Sequence, residues 1–188
     1  QSDVTINIQK NSMQIHQNKS EPWLVTMVDT GENTMTGGRL KRVQDYLKND
    51  EAFCFTYGDG LGNIDITSLV AFHKKHKKLA TLTATRPPGR YGALKLGSND
   101  VVTEFQEKPD GDGSWINGGF FILQPKVIEL IDSDQSVWED KPLKSLAESK
   151  QLLAYKHDGF WQPMDTMRDK VMLNELYNSG QAPWKIWS

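Results

Sequence analysis

One cysteine in 188 residues, Cys54, leaves no partner for an internal disulfide and fits a reducing compartment such as the cytoplasm. Long hydrophobic runs are missing. Nothing approaches the roughly eighteen consecutive apolar residues of a membrane span, so no membrane partner is expected. An excess charge of one sign is missing too. Lys and Arg number 22 against 24 Asp and Glu, a formal net charge of −2, and such a chain is not expected to hold a nucleic-acid backbone. Neither the P-loop spacing nor G-x-G-x-x-G occurs. No Ser-His-Asp or Cys-His arrangement is specified by spacing, and there is no internal repeat, low-complexity tract or visible signal peptide.

What remains is an ordinary globular composition, 37% hydrophobic and 24% charged, read as one domain over residues 1–188. Residues 4–8 alternate apolar and polar as a half-buried strand does. A second strand is expected at 23–28, and a helix over 39–48 with Leu40, Val43 and Leu47 on one face. The run F-C-F-T-Y at 53–57 reads as a strand buried on both faces. Asp65 caps a helix that ends in His73-Lys-Lys-His76, where flanking lysines suggest a solvated end rather than a metal pair. Strands follow at 81–85, 115–123 and 152–157. A hairpin spans 92–106, helical segments fall near 126–132 and 142–150, and a final helix turns Met172, Leu173, Leu176 and Tyr177 inward. Strands alternating with helices predict an α/β fold with a parallel or mixed sheet.

Two acids sit at strand ends. Asp59 lies in Y-G-D-G, where a ligand-side metal carboxylate and a tight turn are equally at home. Asp165, in F-W-Q-P-M-D-T, is either a metal ligand or, along with Thr166, a candidate cap of the last helix. Paired carboxylates are the usual protein contribution to Mg²⁺, the rest coming from phosphates and water. Lys108, held between Glu107 and Pro109, suits a phosphate or a solvated turn. Asn117-Gly118-Gly119 suits sugar hydroxyls or a bulge. Thr36-Gly37-Gly38-Arg39 could hold an anion on free backbone N–H groups at a helix start.

Read together, M-T-G-G-R-L-K-R (35–42), Y-G-D-G (57–60), A-T-L-T-A-T (80–85) and P-P-G-R-Y-G-A-L (87–94) carry a resemblance. F-Q-E-K-P (105–109), I-N-G-G-F-F (116–121), F-W-Q-P-M-D-T (160–166) and A-P-W-K (182–185) continue it in order. The chain resembles the sugar-phosphate nucleotidyltransferases from end to end. The resemblance implies a Rossmann-like, GT-A-like mixed sheet flanked by helices, with a β-hairpin excursion. It also implies in-line attack of glucose 1-phosphate on the α-phosphorus of CTP. Asp59 and Asp165 would hold Mg²⁺, and Lys108 would grip the sugar phosphate. Gly92, Glu107 and Asn117 would read sugar hydroxyls, with Gly37 and Arg39 near the nucleotide. The family's glycine-rich G-G-x-G-T-R loop is not in the sequence. The expectation is therefore a truncated, self-associating member, for which the alternative is a non-catalytic product that binds sugar phosphate or only self-associates.

Overall fold

A computed structural model describes residues 3–16, 23–86, 93–96, 101–106 and 115–186. The chain divides into two compact units, residues 1–30 and 31–188.

In the first unit, β1 (Val4–Asn7) and β2 (Ser12–Ile15) form an antiparallel hairpin with Val4 opposite Ile15. Asn11 takes the left-handed conformation at φ 47° in its turn, which asparagine tolerates. The alternation of residues 4–8 suggests a half-buried strand, yet every residue of both strands is exposed. A two-stranded ladder has no second layer of its own to bury a face against. The strand expected at 23–28 does not form. Its β-favouring residues lack a ladder partner among the described residues, and propensity without pairing makes no strand.

The second unit holds a four-stranded sheet in the order β3-β8-β5-β9. Its strands are β3 (Phe53–Thr56), β5 (Ala80–Thr85), β8 (Ile116–Leu123) and β9 (Leu152–His157). β5 and β9 run parallel, while β8 runs antiparallel to both β3 and β5, so the sheet is mixed. Two short ladders lie outside it: β4 (Gly60–Gly62) with β10 (Trp161–Pro163), and the hairpin of β6 (Ala93–Leu96) with β7 (Val102–Gln106).

Alternate residues of β8 feed two cores. Phe121 and Leu123 join Phe53, Leu40, Val127, Trp138 and Leu146 on one face, whereas Ile122 joins Ile64 and Leu69 on the other. The first face is covered by α1 (Thr36–Arg42), α2 (Gln44–Leu47), a 3₁₀ turn (Pro125–Leu130) and α4 (Lys141–Glu148). The second takes α3 (Ile66–His76), whose cap Asp65 accepts the Ser68 N–H at 2.9 Å. The helix expected over 39–48 is broken at Val43. The break lets Leu40, Val43 and Leu47 all reach the same core.

β3 departs from its reading as a strand buried on both faces: Phe53 is buried, but Cys54 and Thr56 are exposed. Among the described residues it is an edge strand, paired on one side only, with part of one face exposed. α5 (Met167–Asn178) starts at a capping box between Thr166 and Asp169 and buries Leu173. Tyr177, expected to face inward, is 55% exposed.

Candidate functional site

The registers bring the C-terminal ends of β3, β5 and β9 to the same edge as the start of β8. Both strand-end acids lie beside that edge. Asp59 follows β3 and precedes Gly60, which pairs with Pro163 across the β4–β10 ladder. One step further, the Met164 N–H donates to the Asp59 carbonyl at 2.7 Å. Asp165 is the next residue, so the two acids sit on neighbouring chain segments although a hundred residues separate them in sequence. Of the two candidate caps, Thr166 takes the part: its hydroxyl accepts the Asp169 N–H at 3.2 Å, and Asp165 lies just before the cap. Beside Asp59, a methyl group built on Gly58 would meet nothing within 4 Å.

Asn117 joins this end of the sheet through local hydrogen bonds. Its Oδ1 accepts the Gly119 N–H at 2.9 Å, and its side chain lies near the Tyr57 hydroxyl. Gly119 has φ +77°, and a Cβ there would fall 2.7 Å from the Tyr57 ring. A side chain is thus excluded twice, by backbone strain and by contact. The Trp161 indole donates to the Gly118 carbonyl at 2.8 Å, tying β10 to the same glycine pair. β5 opposes this pair with a register shift between Leu82 and Ala84, so the bulge reading of Asn117-Gly118-Gly119 is realised alongside its polar contacts.

One residue not singled out by sequence reasoning, Glu139, links Tyr57 of Y-G-D-G to Thr36. The Tyr57 hydroxyl donates to one carboxylate oxygen of Glu139, and the Thr36 hydroxyl donates to the other at 3.0 Å. Thr36 Oγ1 accepts in turn from the Trp138 N–H at 2.9 Å. Burial pushes the Tyr57 hydroxyl far above its ordinary pKa, and the adjacent Glu139 carboxylate adds to the shift. Tyr57 stands inside Y-G-D-G, so its proximity to Asp59 was legible. Glu139, in the unremarkable segment S-V-W-E-D, carried no signal.

Gly37 and Arg39 are reached from this network only through Thr36. Free backbone donors expected at the start of α1 are partly used: the Met35 N–H donates to the Asp134 carbonyl at 2.9 Å and the Gly38 N–H to that of Ser136 at 3.2 Å. Gly37 and Gly38 are buried against that loop, where a Cβ would lie 2.7 Å from Ser136 O and 2.4 Å from Asp134 O respectively. Arg39 is exposed, and one of its guanidinium nitrogens donates to the Glu32 carbonyl at 3.1 Å. Gly92, Glu107 and Lys108 lie outside the described residues.

Among the described residues, no three His, Cys, Asp or Glu side chains gather as a metal site. The solvated ending expected for α3 is corrected: His73 is only 3% exposed, and both it and His76 hydrogen-bond the Thr81 hydroxyl, at 2.9 and 2.7 Å. No helix among the described residues is long and apolar enough to cross a membrane.

Comparison with known proteins places this geometry in a family. Residues 3–176 match the family described as nucleotidyl transferase. The chain is 59% identical over 186 residues to the glucose-1-phosphate cytidylyltransferase of Salmonella typhimurium, covering 99% of this chain and 72% of that protein. It is 34% identical over 152 residues to the mannose-1-phosphate guanyltransferase of Saccharomyces cerevisiae, covering 75% and 42%. Among solved structures, HddC from Yersinia pseudotuberculosis shares the fold with a TM-score of 0.57 at 21% identity, over 78% of this chain and 64% of that one.

Proposed function

Because the chain belongs to the nucleotidyltransferase family, we propose that it serves cytidylyl transfer from CTP to glucose 1-phosphate, releasing pyrophosphate. The observation that supports the reading is the 2.7 Å bond from the Met164 N–H to the Asp59 carbonyl, which joins the backbone segments that carry Asp59 and Asp165. Two acids on adjoining segments, one of them next to the open space at Gly58, suit a hard divalent ion that takes its remaining ligands from phosphates and water. Asp59 and Asp165 would hold Mg²⁺, which when bound neutralises phosphate charge and orients the leaving pyrophosphate.

The chain's own groups then position the substrates. Asn117 offers its side-chain amide to sugar hydroxyls while Gly119 fixes its orientation. Lys108 is assigned to the sugar phosphate as a point charge, with Glu107 and Gly92 on the hydroxyls and Gly37 and Arg39 on the nucleotide side. The Glu139–Tyr57 bond keeps the backbone that leads into Asp59 in place. In-line phosphoryl chemistry depends mainly on such positioning and charge stabilisation.

Self-association is proposed on the first unit, where Ile8 is 90%, Leu24 98% and Met27 92% exposed. Sedimentation at micromolar concentration tests it, and a monomer there overturns it. A reducing, cytoplasmic setting is proposed on the lone thiol of Cys54.

The test of function is pyrophosphate release from CTP, glucose 1-phosphate and Mg²⁺, with an Asp59→Ala control. Release that the substitution abolishes supports the proposal. Release no higher than the control overturns intrinsic turnover and leaves a non-catalytic product that binds sugar phosphate or only self-associates.

A further inference from the structure

Arg86, Trp115 and Lys156 take no part in the roles assigned above, yet the strand register gathers them. Lys156 pairs with Ala84, and Ala84 with Asn117, in one row across β9, β5 and β8. Thr85 pairs with Ile116, so one step beyond the ladder Arg86 opposes Trp115. Residues two apart on a strand share a face. Lys156, Arg86, Trp115 and Asn117 therefore stand on the same face, with Ala84 buried in their midst at 4% exposure. The side chains meet at one ring. The Arg86 guanidinium carbon lies 4.6 Å and Lys156 Nζ 5.4 Å from the centre of a Trp115 ring.

Two cations converging on one indole repel each other, and the ring face offsets only part of that repulsion. Other cations of this unit have acidic partners: Arg42 with Asp134, Lys141 with Asp132 and Lys144 with Asp140, each at 2.5 Å. Among the described residues no carboxylate forms an ion pair with Arg86 or Lys156. The arrangement has the charge of an anion site, on the sheet face that carries Asn117.

We propose that Arg86, Trp115 and Lys156 form a phosphate-binding subsite contiguous with Asn117. Arg86 supplies a planar fork that matches phosphate oxygens, and Lys156 supplies a mobile point charge. Trp115 holds the guanidinium at the edge of the sheet. The cytidylyl-transfer reading, on which this inference rests for its ligands, offers two sources of that phosphate: the sugar phosphate and the departing pyrophosphate.

Isothermal titration of the whole chain with glucose 1-phosphate, with pyrophosphate and with glucose tests the subsite. It is run on the wild type, on Arg86→Gln and Lys156→Gln singly and together, and on Trp115→Phe. Both cations are exposed, so thermal midpoints near the wild-type value will confirm folding. Each cation removed should weaken at least one phosphate compound by about tenfold, the scale of a lost charge-assisted hydrogen bond. Glucose should be unaffected, and Trp115→Phe should lose less than either cation variant. The compound that loses affinity identifies the source. Unchanged affinity of the double variant for both phosphate compounds overturns the proposal, and so does a wild type that binds neither. Binding is read without turnover, so a failed transfer assay and a failed subsite remain distinguishable.

Discussion

The Tyr57 hydroxyl donates to Glu139, 82 residues away in sequence, and Thr36 donates to the opposite oxygen of the same carboxylate. One side chain thus ties the loop after β3 to the start of α1. Removing it leaves a half-buried phenol without its acceptor, and orphaned polar groups cost more than a neutral pair contributes. Glu139→Ala should lower unfolding free energy by about 1–3 kcal/mol, measured by urea denaturation. Tyr57→Phe should cost about 1 kcal/mol, and the double variant less than the sum. Strict additivity would show that the two residues do not act as a pair.

Glycines 37 and 38 lie against backbone that cannot swing aside. A methyl on Gly38 would fall 2.4 Å from the Asp134 carbonyl oxygen, and one on Gly37 2.7 Å from that of Ser136. Each Gly→Ala substitution should destabilise by about 1–3 kcal/mol, the usual cost of overpacking. Gly58→Ala, with nothing within 4 Å, should fall within about 0.5 kcal/mol of the wild type. Thermal unfolding of the three variants checks the contrast.

Stability should fall on mild acidification because of α3. The His76 ring accepts the Lys78 N–H on Nδ1 at 2.9 Å, and both His73 and His76 meet Thr81. Burial holds both imidazoles below their ordinary value of 6.5. Lys78 disfavours the charged form of His76, and Glu51 partly opposes the shift at His73. The unfolded chain therefore binds more protons over this range, and stability rises with pH there. The contribution is complete above about 6.5 and is lost as pH falls through the lower folded-state values. Urea midpoints at pH 8 and pH 5 should differ for the wild type. A much smaller difference is expected in His73→Gln, and an equal one would remove His73 from the account.

Asp59 and Asp165 should matter to ligand-linked stability more than to the apo fold. A ligand at about 100 times its Kd adds about 2.7 kcal/mol. Mg²⁺ with CTP should therefore raise the wild-type melting temperature and leave Asp59→Asn and Asp165→Asn nearly unmoved. Retention of the full shift in both variants would dismiss the paired-acid site.

How much of this was legible in the sequence depended on distance along the chain. Local chemistry read cleanly: Asp65 caps α3 as expected, and the strand at Leu152–His157 stands where β-favouring residues placed it. Asp165 and Thr166 compete for one cap, and only geometry could give it to the threonine. Burial was misread where it depended on neighbours. The 53–57 run has the composition of a central strand but lies at an edge among the described residues, where the 23–28 run also has no ladder partner. Glu139 was invisible because its partners, Thr36 and Tyr57, are brought to it only by the sheet and the loop before α4.

The irregularity between β5 and β8 sets a rule of arithmetic for the site. From Leu82 to Ala84 the chain advances two residues, while their partners run from Phe121 to Asn117, four residues. The surplus is even, so sidedness survives it. Deleting a single glycine from the Gly118-Gly119 pair would reverse the parity and turn Asn117 and Trp115 toward the face that carries α3. Losing both would restore a plain ladder in which Asn117 still opposes Ala84 on the site face. Length variation in this segment among functional relatives should therefore come in steps of two.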